Sequence, residues 1–492
     1  AIQKIYPETK ITELAAWGRF PEPYHTYLLD PTSPLYAKIG RRFINEWEKE
    51  FGKNKYFLAD SFNEMKVPVP PDRAGRLALL AKYGSAVYHS ITAGEPDATW
   101  VMQGWLFYNQ ASFWDQGSVA ALLSKIPNDR MIIIDLACDF RPIWSSQNAF
   151  DGKQWIYSII HNMGGKTTVG GDLHFFATDP AKILAAPNHG NLVGFGLGPE
   201  GTENNEVVYE LLTDAMWSKK PIDLDSWLPG YCTDRYGACP PAMAQAWQLF
   251  CQSCYAHDVS HTRAGYVHRP DINPGEWDGH PATGPLRKGP ESYLPDDSPQ
   301  FRQGVKLFLQ CSGELGGNAL YRADALDFTA QYIGSRIDKL LIAALSANDH
   351  GDKQTRDRCA GEALDLMKGV DALLANHPIN RLARWVDFAR RWGDTPAESD
   401  YYESDAKRLI TTWGGPRLSE YASRIWNGLV GTYYRARWAG FFNEWSTGKK
   451  FDIASWEENW IRTPFKAEPK STEDPLSQCK RLIEKADHFS NH

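Results

Sequence analysis

The chain has 492 residues, 42 % of them hydrophobic and 23 % charged, with a net charge of −7. That length asks for two or three cores, and the composition excludes a disordered chain. The mild negative charge, with Lys and Arg scattered, argues against a nucleic acid or an anionic membrane as partner, and with no apolar run of about 18 residues no membrane span is expected.

The stretch up to residue 215 alternates short β-like runs with amphipathic stretches, the pattern of a parallel α/β fold. The β-like runs are Lys10–Trp17, Tyr56–Phe62, Thr99–Gly104, Met131–Leu136, Trp155–Ile160 and Leu192–Leu197. Helical periodicity runs through Leu35–Phe51 and Ala74–Ala93; in the second, Leu77, Leu80, Ala81, Tyr83, Val87 and Tyr88 make one apolar face. Six strands fall short of a (β/α)8 barrel, so the expectation is an open sheet or a chain that begins inside a barrel.

From Asn204 the pattern turns helical. The predicted helices are Asn205–Lys219, Ala319–Ala347 (with Ile333, Ile337, Leu340 and Leu341 on one face), Arg356–Ala375, Pro378–Trp392, Ser399–Thr411 and Leu418–Trp445. Arg263–Leu294, rich in Gly, Pro, His and Asp, reads as a long loop. The predicted division is residues 1–215, an open parallel sheet or the C-terminal portion of a TIM-type barrel, and residues 216–492, an α-helical domain.

The chain carries 19 Trp, 22 Tyr and 22 Phe. Most will be core, but aromatic faces also stack on sugar rings, which points toward carbohydrate. Cys251 and Cys254 form a C-x-x-C pair followed by His257 and His261, a spacing compatible with zinc or a redox pair. Ala242–Tyr255 reads as helix, however, and no second ligand pair stands at zinc-finger spacing, so core or disulfide cysteines are favoured and no metal is assigned. No N-x-S/T sequon occurs, and the start AIQKIYPETK is neither a Met start nor a signal peptide. The expectation is a secreted, periplasmic or lysosome-like place of action, with a bacterial protein outside the cytoplasm favoured and any signal already gone.

In a parallel barrel, functional side chains sit where strands end and the following loops begin. Asn63 and Glu64 follow the Tyr56–Phe62 run, and Pro199-Glu200-Gly201 follows Leu192–Leu197. The intervening ends carry Gln103-Gly104-Trp105, Asp135 and Asp139, and His161-Asn162. Two carboxylates with amide donors and aromatic walls suit glycoside hydrolysis. One carboxyl protonates the leaving oxygen and then activates water; the other attacks the anomeric carbon or activates water itself. Asn63 can bond a sugar hydroxyl or an amide carbonyl.

Bland alternatives stand beside each assignment. Glu64 could be a loop charge or a helix N-terminal charge, and Glu200 a turn residue between Pro and Gly. Asp60, Asp135, Glu203 and Glu206 compete for the catalytic role. Trp105 could be a pocket wall or a core ring, and His161 a sugar ligand or a satisfied core histidine. No Ser–His–Asp arrangement, phosphate loop or dinucleotide fingerprint stands out, and no cofactor is expected.

Taken together, FLADSFNEM (Phe57–Met65), WVMQGWLF (Trp100–Phe107), IYSIIHNMGG (Ile156–Gly165), VGFGLGPEGTENNEVVYEL (Val193–Leu211) and TTWGGP (Thr411–Pro416) resemble the α-N-acetylglucosaminidase family, glycoside hydrolase family 89. YRADALDFTAQ (Tyr321–Gln331) and YYRARW (Tyr433–Trp438) are similar too. The resemblance implies a (β/α)8 barrel followed by a helical domain, and a retaining exo-hydrolase that removes terminal α-linked N-acetylglucosamine without a metal. It implies Glu64 as the acid/base, Glu200 as the nucleophile, and Trp105 and Trp413 as pocket aromatics, beside the Asn63, His161 and Asn162 positions read above. Substrates of the family are heparan-type ends or α-GlcNAc-capped mucin glycans; the absent sequons lean toward the mucin type.

The family's small N-terminal domain and first barrel strands have no counterpart here. The implied partners are therefore the glycan and either a missing barrel segment or a second copy of the chain. The alternative reading is a non-catalytic carbohydrate-binding protein or an inactive fragment of such an enzyme.

Overall fold

The computed structural model describes residues 2–17, 25–201, 203, 205–257, 264–270, 297–413, 420–467 and 472–489. Packing divides the chain into two compact units, each discontinuous in sequence. One is Ala1–Ile160 with Asp179–Gly198; the other is His161–Thr178 with Pro199–His492.

The first unit is built on five parallel strands in the order Tyr56–Leu58, Thr99–Gln103, Met131–Asp135, Gln154–Ile159 and Leu192–Leu197. The three interior strands carry the long apolar residues that a sheet covered on both faces requires. Trp100, Met102, Met131, Ile133, Trp155, Tyr157 and Ile159 are buried, whereas Tyr56, Leu58, Val193 and Leu197 on the two edge strands stay exposed. The Lys10–Trp17 run, expected as a sixth strand of this sheet, is corrected. Only Ile11–Glu13 is extended, and it pairs antiparallel with Tyr27–Leu29. Its Ile-Thr-Glu alternation suits a half-exposed strand and lacks the continuous apolar run of a doubly covered one.

Helices Pro34–Phe51 and Arg73–Thr92 lie where the periodicity placed them. Their N-termini are fixed by Ser33, which accepts from the Leu35 N–H, and by Asp72, which accepts from the Gly75 N–H at 2.7 Å. Gly84 lets Arg73–Thr92 meet the unanticipated helix Gln116–Leu123 closely. A Cβ there would stand 1.9 Å from the Leu122 carbonyl oxygen.

The second unit is helical. Its axis is Ala319–Asp349, with Ile333, Ile337 and Leu341 fully buried, and Lys353–Leu374 packs along it. A stacked aromatic core, with Phe250 and Phe328 at 4.3 Å, joins it to Pro241–Cys251 and Pro299–Gln310. Gln331 pins Val169 to this unit by accepting from its N–H at 2.7 Å and donating to its carbonyl at 2.9 Å.

The predicted helix Leu418–Trp445 is corrected. Regular structure begins as a π-helical turn at Val430–Arg435 and continues as Ala436–Thr447. Glu420 (φ 61°) and Gly428 (φ 83°) leave the right-handed region, and Asp371 captures the N–H groups of Gly428 and Gly431 at 2.7 Å each. Leu173–Ala185, Leu224–Tyr236, Ile453–Arg462 and Pro475–Phe489 are further helices beyond the sequence expectation. Most of the predicted Arg263–Leu294 loop lies outside the described residues.

Candidate active site

Glu64 belongs to the first unit. The first parallel strand closes at Leu58, sooner than predicted, and the chain then turns through Phe62 (φ 67°) and Glu64 (φ 49°). Left-handed backbone at two non-glycine residues so close together costs on the order of 1–3 kcal/mol each and persists only where the surroundings hold it. Phe62 is held by burial and by stacking on Tyr83, centroids 5.5 Å apart.

The turn aims the Glu64 carboxylate between two indoles. Trp105 donates to Oε1 at 2.6 Å and Trp17 to Oε2 at 2.5 Å. The Trp105 ring lies 5.3 Å from Tyr108, whose hydroxyl accepts from Arg141 Nε at 2.5 Å. Asn63 is half-buried, and its Oδ1 has no hydrogen-bond partner among the described residues.

Two competing acids are accounted for within this unit. Both Asp60 oxygens accept from Gln103, one from its backbone N–H and one from its amide, each at 2.9 Å. Asp135 is 1 % exposed and accepts from the Ile143 and Trp144 N–H groups at 2.9 Å, fixing the loop after its strand. Burial pushes its pKa up to about 6 against those two bonds.

Glu200 belongs to the second unit. Its Oε2 accepts from the Gly164 N–H and from the Tyr421 hydroxyl, the latter at 2.8 Å. Gly164 (φ 77°) and Gly165 (φ 65°) form a turn with no room for side chains. A Cβ on Gly164 would lie 1.9 Å from the Tyr421 carbonyl oxygen, and one on Gly165 would lie 2.5 Å from Arg424 Nη2 and 2.7 Å from the Glu200 carbonyl oxygen.

Arg424 locks this turn by donating to the Gly164 carbonyl at 2.6 Å. Burial pulls its guanidinium down to about 10, opposed by Tyr434, Glu200 and Glu203. Trp413 meets the Tyr421 ring edge-on at 4.9 Å, and the Lys166 ammonium lies 5.4 Å from the centroid of that ring. The rest of the TTWGGP string, Gly414–Pro416, lies outside the described residues.

The remaining sequence candidates have other surroundings. The Asn162 amide donates to the Gly201 carbonyl, tying it to the Glu200 loop. His161 is 4 % exposed, bonds the Gly170 carbonyl through Nε2 at 2.8 Å, and packs edge-on against Phe176 and Tyr209. Burial lowers its pKa to about 4, so it is neutral at ordinary pH. These are the surroundings of a core histidine. Glu203 forms a two-pronged ion pair with Arg384 at 2.7 and 2.9 Å. Glu206 opens helix Glu206–Met216 beside Arg235, its pKa raised by burial and then by Asp324.

The sequence reading missed Trp17, Tyr421 and Arg424. Trp17 closes a β-like run and could have been found by the strand-end rule. Tyr421 and Arg424 were placed inside a helix that does not form there.

None of the eight cysteines is in a disulfide; Cys251 ends its helix and Cys254 donates to the Phe250 carbonyl at 3.9 Å. Among the described residues, no group of three or more His, Cys, Asp or Glu is arranged to hold a metal ion, and His261 lies outside them. No helix of the described residues is long and apolar enough to cross a membrane.

Residues 1–219 match the family description "alpha-N-acetylglucosaminidase (NAGLU) tim-barrel domain", and residues 227–485 match "alpha-N-acetylglucosaminidase (NAGLU) C-terminal domain". The chain belongs to the α-N-acetylglucosaminidase family. The human alpha-N-acetylglucosaminidase is 31 % identical over 451 residues, which make up 90 % of this chain and 58 % of the human protein.

Among solved structures, the family 89 glycoside hydrolase from Clostridium perfringens in complex with 2-acetamido-1,2-dideoxynojirmycin superposes with a TM-score of 0.83 at 22 % identity. The superposition covers 98 % of this chain and 55 % of that one. The same bacterial enzyme, carrying two Glu→Gln substitutions and in complex with its substrate GlcNAc-α-1,4-galactose, superposes with a TM-score of 0.83 at 21 % identity, over 98 % of this chain and 54 % of that one. The chain thus spans just over half the length of these relatives. Its fold is part of a TIM-type barrel followed by a helical C-terminal domain.

Proposed function

We propose that the chain is an exo-acting, retaining glycoside hydrolase that removes terminal α-linked N-acetylglucosamine from glycans. The observation that carries this reading is that each of the two glutamates expected to act is held by directed donors. Two indole N–H groups grip Glu64; a hydroxyl and a backbone N–H grip Glu200. Such preorganised carboxylates are what a two-carboxylate displacement needs.

In this mechanism the Glu200 carboxylate attacks the anomeric carbon while Glu64 protonates the leaving oxygen. Water, deprotonated by Glu64, then displaces Glu200, and two inversions leave the α configuration. Asn63 supplies an amide with an uncommitted oxygen, Trp105 both orients Glu64 and offers a ring face, and Trp413 is the second aromatic wall. Asn162 serves the Glu200 loop, and His161 serves the core.

The substrate named for the Clostridium perfringens relative, GlcNAc-α-1,4-galactose, supports an α-GlcNAc-capped, mucin-type glycan as substrate and an extracytoplasmic place of action. That the substrate-bound form of that relative carries two Glu→Gln substitutions supports a two-glutamate mechanism here.

The test is release of 4-nitrophenol from its α-N-acetylglucosaminide by the parent, Glu64→Gln and Glu200→Ala, with the anomer of the fresh product read by NMR. Turnover by the parent alone, yielding the α anomer first, is the expected result. A β product would replace retention by inversion. Saccharide binding without turnover by any of the three would leave a carbohydrate-binding protein.

A further inference from the structure

Among the described residues, every hydrogen bond to the Glu200 carboxylate falls on one oxygen. Gly164 N–H and the Tyr421 hydroxyl both donate to Oε2, and Oε1 accepts from neither. Donors engage the lone pairs of the oxygen they touch, which leaves the lone pairs of the other oxygen free to attack.

The arrangement is built to stay one-sided. The Gly164–Gly165 turn reaches Glu200 only because neither residue has a Cβ, and Arg424 clamps the Gly164 carbonyl from behind. The Tyr421 ring is fixed edge-on to Trp413 and beneath Lys166, so its hydroxyl has a set direction.

We propose that Tyr421 is the positioning residue of the nucleophile: with the Gly164 N–H it holds Oε2, so that Oε1 is the oxygen that bonds the sugar. This rests on the reading of Glu200 given above. In the first step the bond from Oε1 to the anomeric carbon forms as the bond from that carbon to the leaving oxygen breaks. The leaving oxygen keeps the electron pair and takes a proton from the general acid.

In the glycosyl ester, Oε2 becomes the carbonyl oxygen, a weaker acceptor than a carboxylate. In the second step the oxygen of water bonds the anomeric carbon, its proton goes to the general base, and Oε1 departs with the electron pair. Charge then returns to a carboxylate that Tyr421 and Gly164 are waiting to stabilise. Tyr421 therefore orients Oε1 in the first step and stabilises the departing carboxylate in the second, without touching the sugar.

The experiment follows time-dependent labelling of Glu200 by a 5-fluoro N-acetylglucosaminyl fluoride, in the whole chain, for the parent and Tyr421→Phe. Phe keeps the ring and its contacts and deletes one charge-assisted bond. The labelling rate constant should fall about 10- to 100-fold. The half-saturating probe concentration should stay within about twofold, because ground-state binding is untouched.

Labelling of Tyr421→Phe at the parental rate would overturn the proposal while leaving the nucleophile assignment intact. Absence of labelled Glu200 in the parent would overturn that assignment, and the proposal with it. Should Tyr421→Phe melt well below the parent, 3-fluorotyrosine at position 421 replaces it. That analogue is a stronger donor of nearly the same shape, so the rate must change again with half-saturation constant. An unchanged rate would also overturn the proposal.

Discussion

Trp105 donates its indole N–H to Oε1 of Glu64 at 2.6 Å, and the residue comes from the first turn of the short helix Trp105–Asn109. Trp17 occupies the other oxygen but is 41 % exposed. An indole N–H cannot accept, so a protonated Glu64 carries its proton on a lone pair that neither indole uses. The half-buried Trp105 is the better placed of the two to hold on.

The first prediction follows from that inequality. Trp105→Phe should lower kcat/KM about 10- to 100-fold, the worth of one hydrogen bond to a charged group in a sheltered place. Trp17→Phe should cost about threefold or less, because its bond is open to solvent. Steady-state kinetics on an aryl α-N-acetylglucosaminide give both values, and the reverse ranking would sink the argument.

A second prediction concerns pH. Asp135 has a folded pKa raised to about 6 from 3.8, so its ionised form is disfavoured in the folded chain. Its contribution to stability is full below pH 3.8 and is lost as pH rises through 6. Asp135→Asn keeps an acceptor for Ile143 and Trp144 and removes the charge. Its stability gain over the parent should therefore open between pH 4 and pH 7 and level off at roughly 3 kcal/mol.

His161 runs the other way. Its pKa is lowered to about 4 from 6.5 by burial, so its stability is present above pH 6.5 and lost as pH falls through 4. Replacement by Phe should flatten that acid limb. Calorimetric melts from pH 4 to pH 8 separate the two effects, and parallel pH curves for variants and parent would refute both.

The third prediction is the largest in energy. Arg437 is fully buried, donating to Glu420 at 2.5 Å, to Glu457 at 2.7 Å and to the Val267 carbonyl at 2.7 Å. Arg437→Met leaves Glu420 without the cation it bonds and Glu457 with Arg269 alone, 3.3 Å away, and should destabilise by about 3–5 kcal/mol. Arg437→Lys should rescue little, since one ammonium cannot reproduce a planar fork with several donors. Adding Glu420→Gln to Arg437→Met should recover part of the loss; denaturant titration that shows no recovery would mean the pair is not the source.

Much of this was legible in the sequence because it lay in local pattern. The Met131–Ile134 run declares a strand covered on both faces, and the Ile333, Ile337, Leu340, Leu341 spacing declares a core helix. Glu64 and Glu200 could be singled out since each follows a strand. What was hidden depends on contacts remote in sequence. His161 looked like a strand-end residue, yet the strand stops at Ile159 and the chain enters the second unit at His161, where it is buried. Tyr421 sits in a stretch whose composition is helical, and its true path is dictated by left-handed Glu420 and by Asp371, fifty residues upstream in sequence and invisible to any local window.

The interleaving of the two units in sequence constrains how the chain is made and how it can be taken apart. During synthesis, residues 161–178 emerge before the last parallel strand, Leu192–Leu197, so a growing chain must set that segment aside while the sheet finishes. No single cut releases either unit whole. Severing at residue 198 would strip the helical unit of Gly164, of the Val169 that grips Gln331, and of the Gly171–Asp172 strand that pairs with Ala256–His257. The two halves of such a split chain would therefore have to be produced together, and an endoprotease acting within 161–178 would cut the segment whose Gly164 N–H holds Glu200.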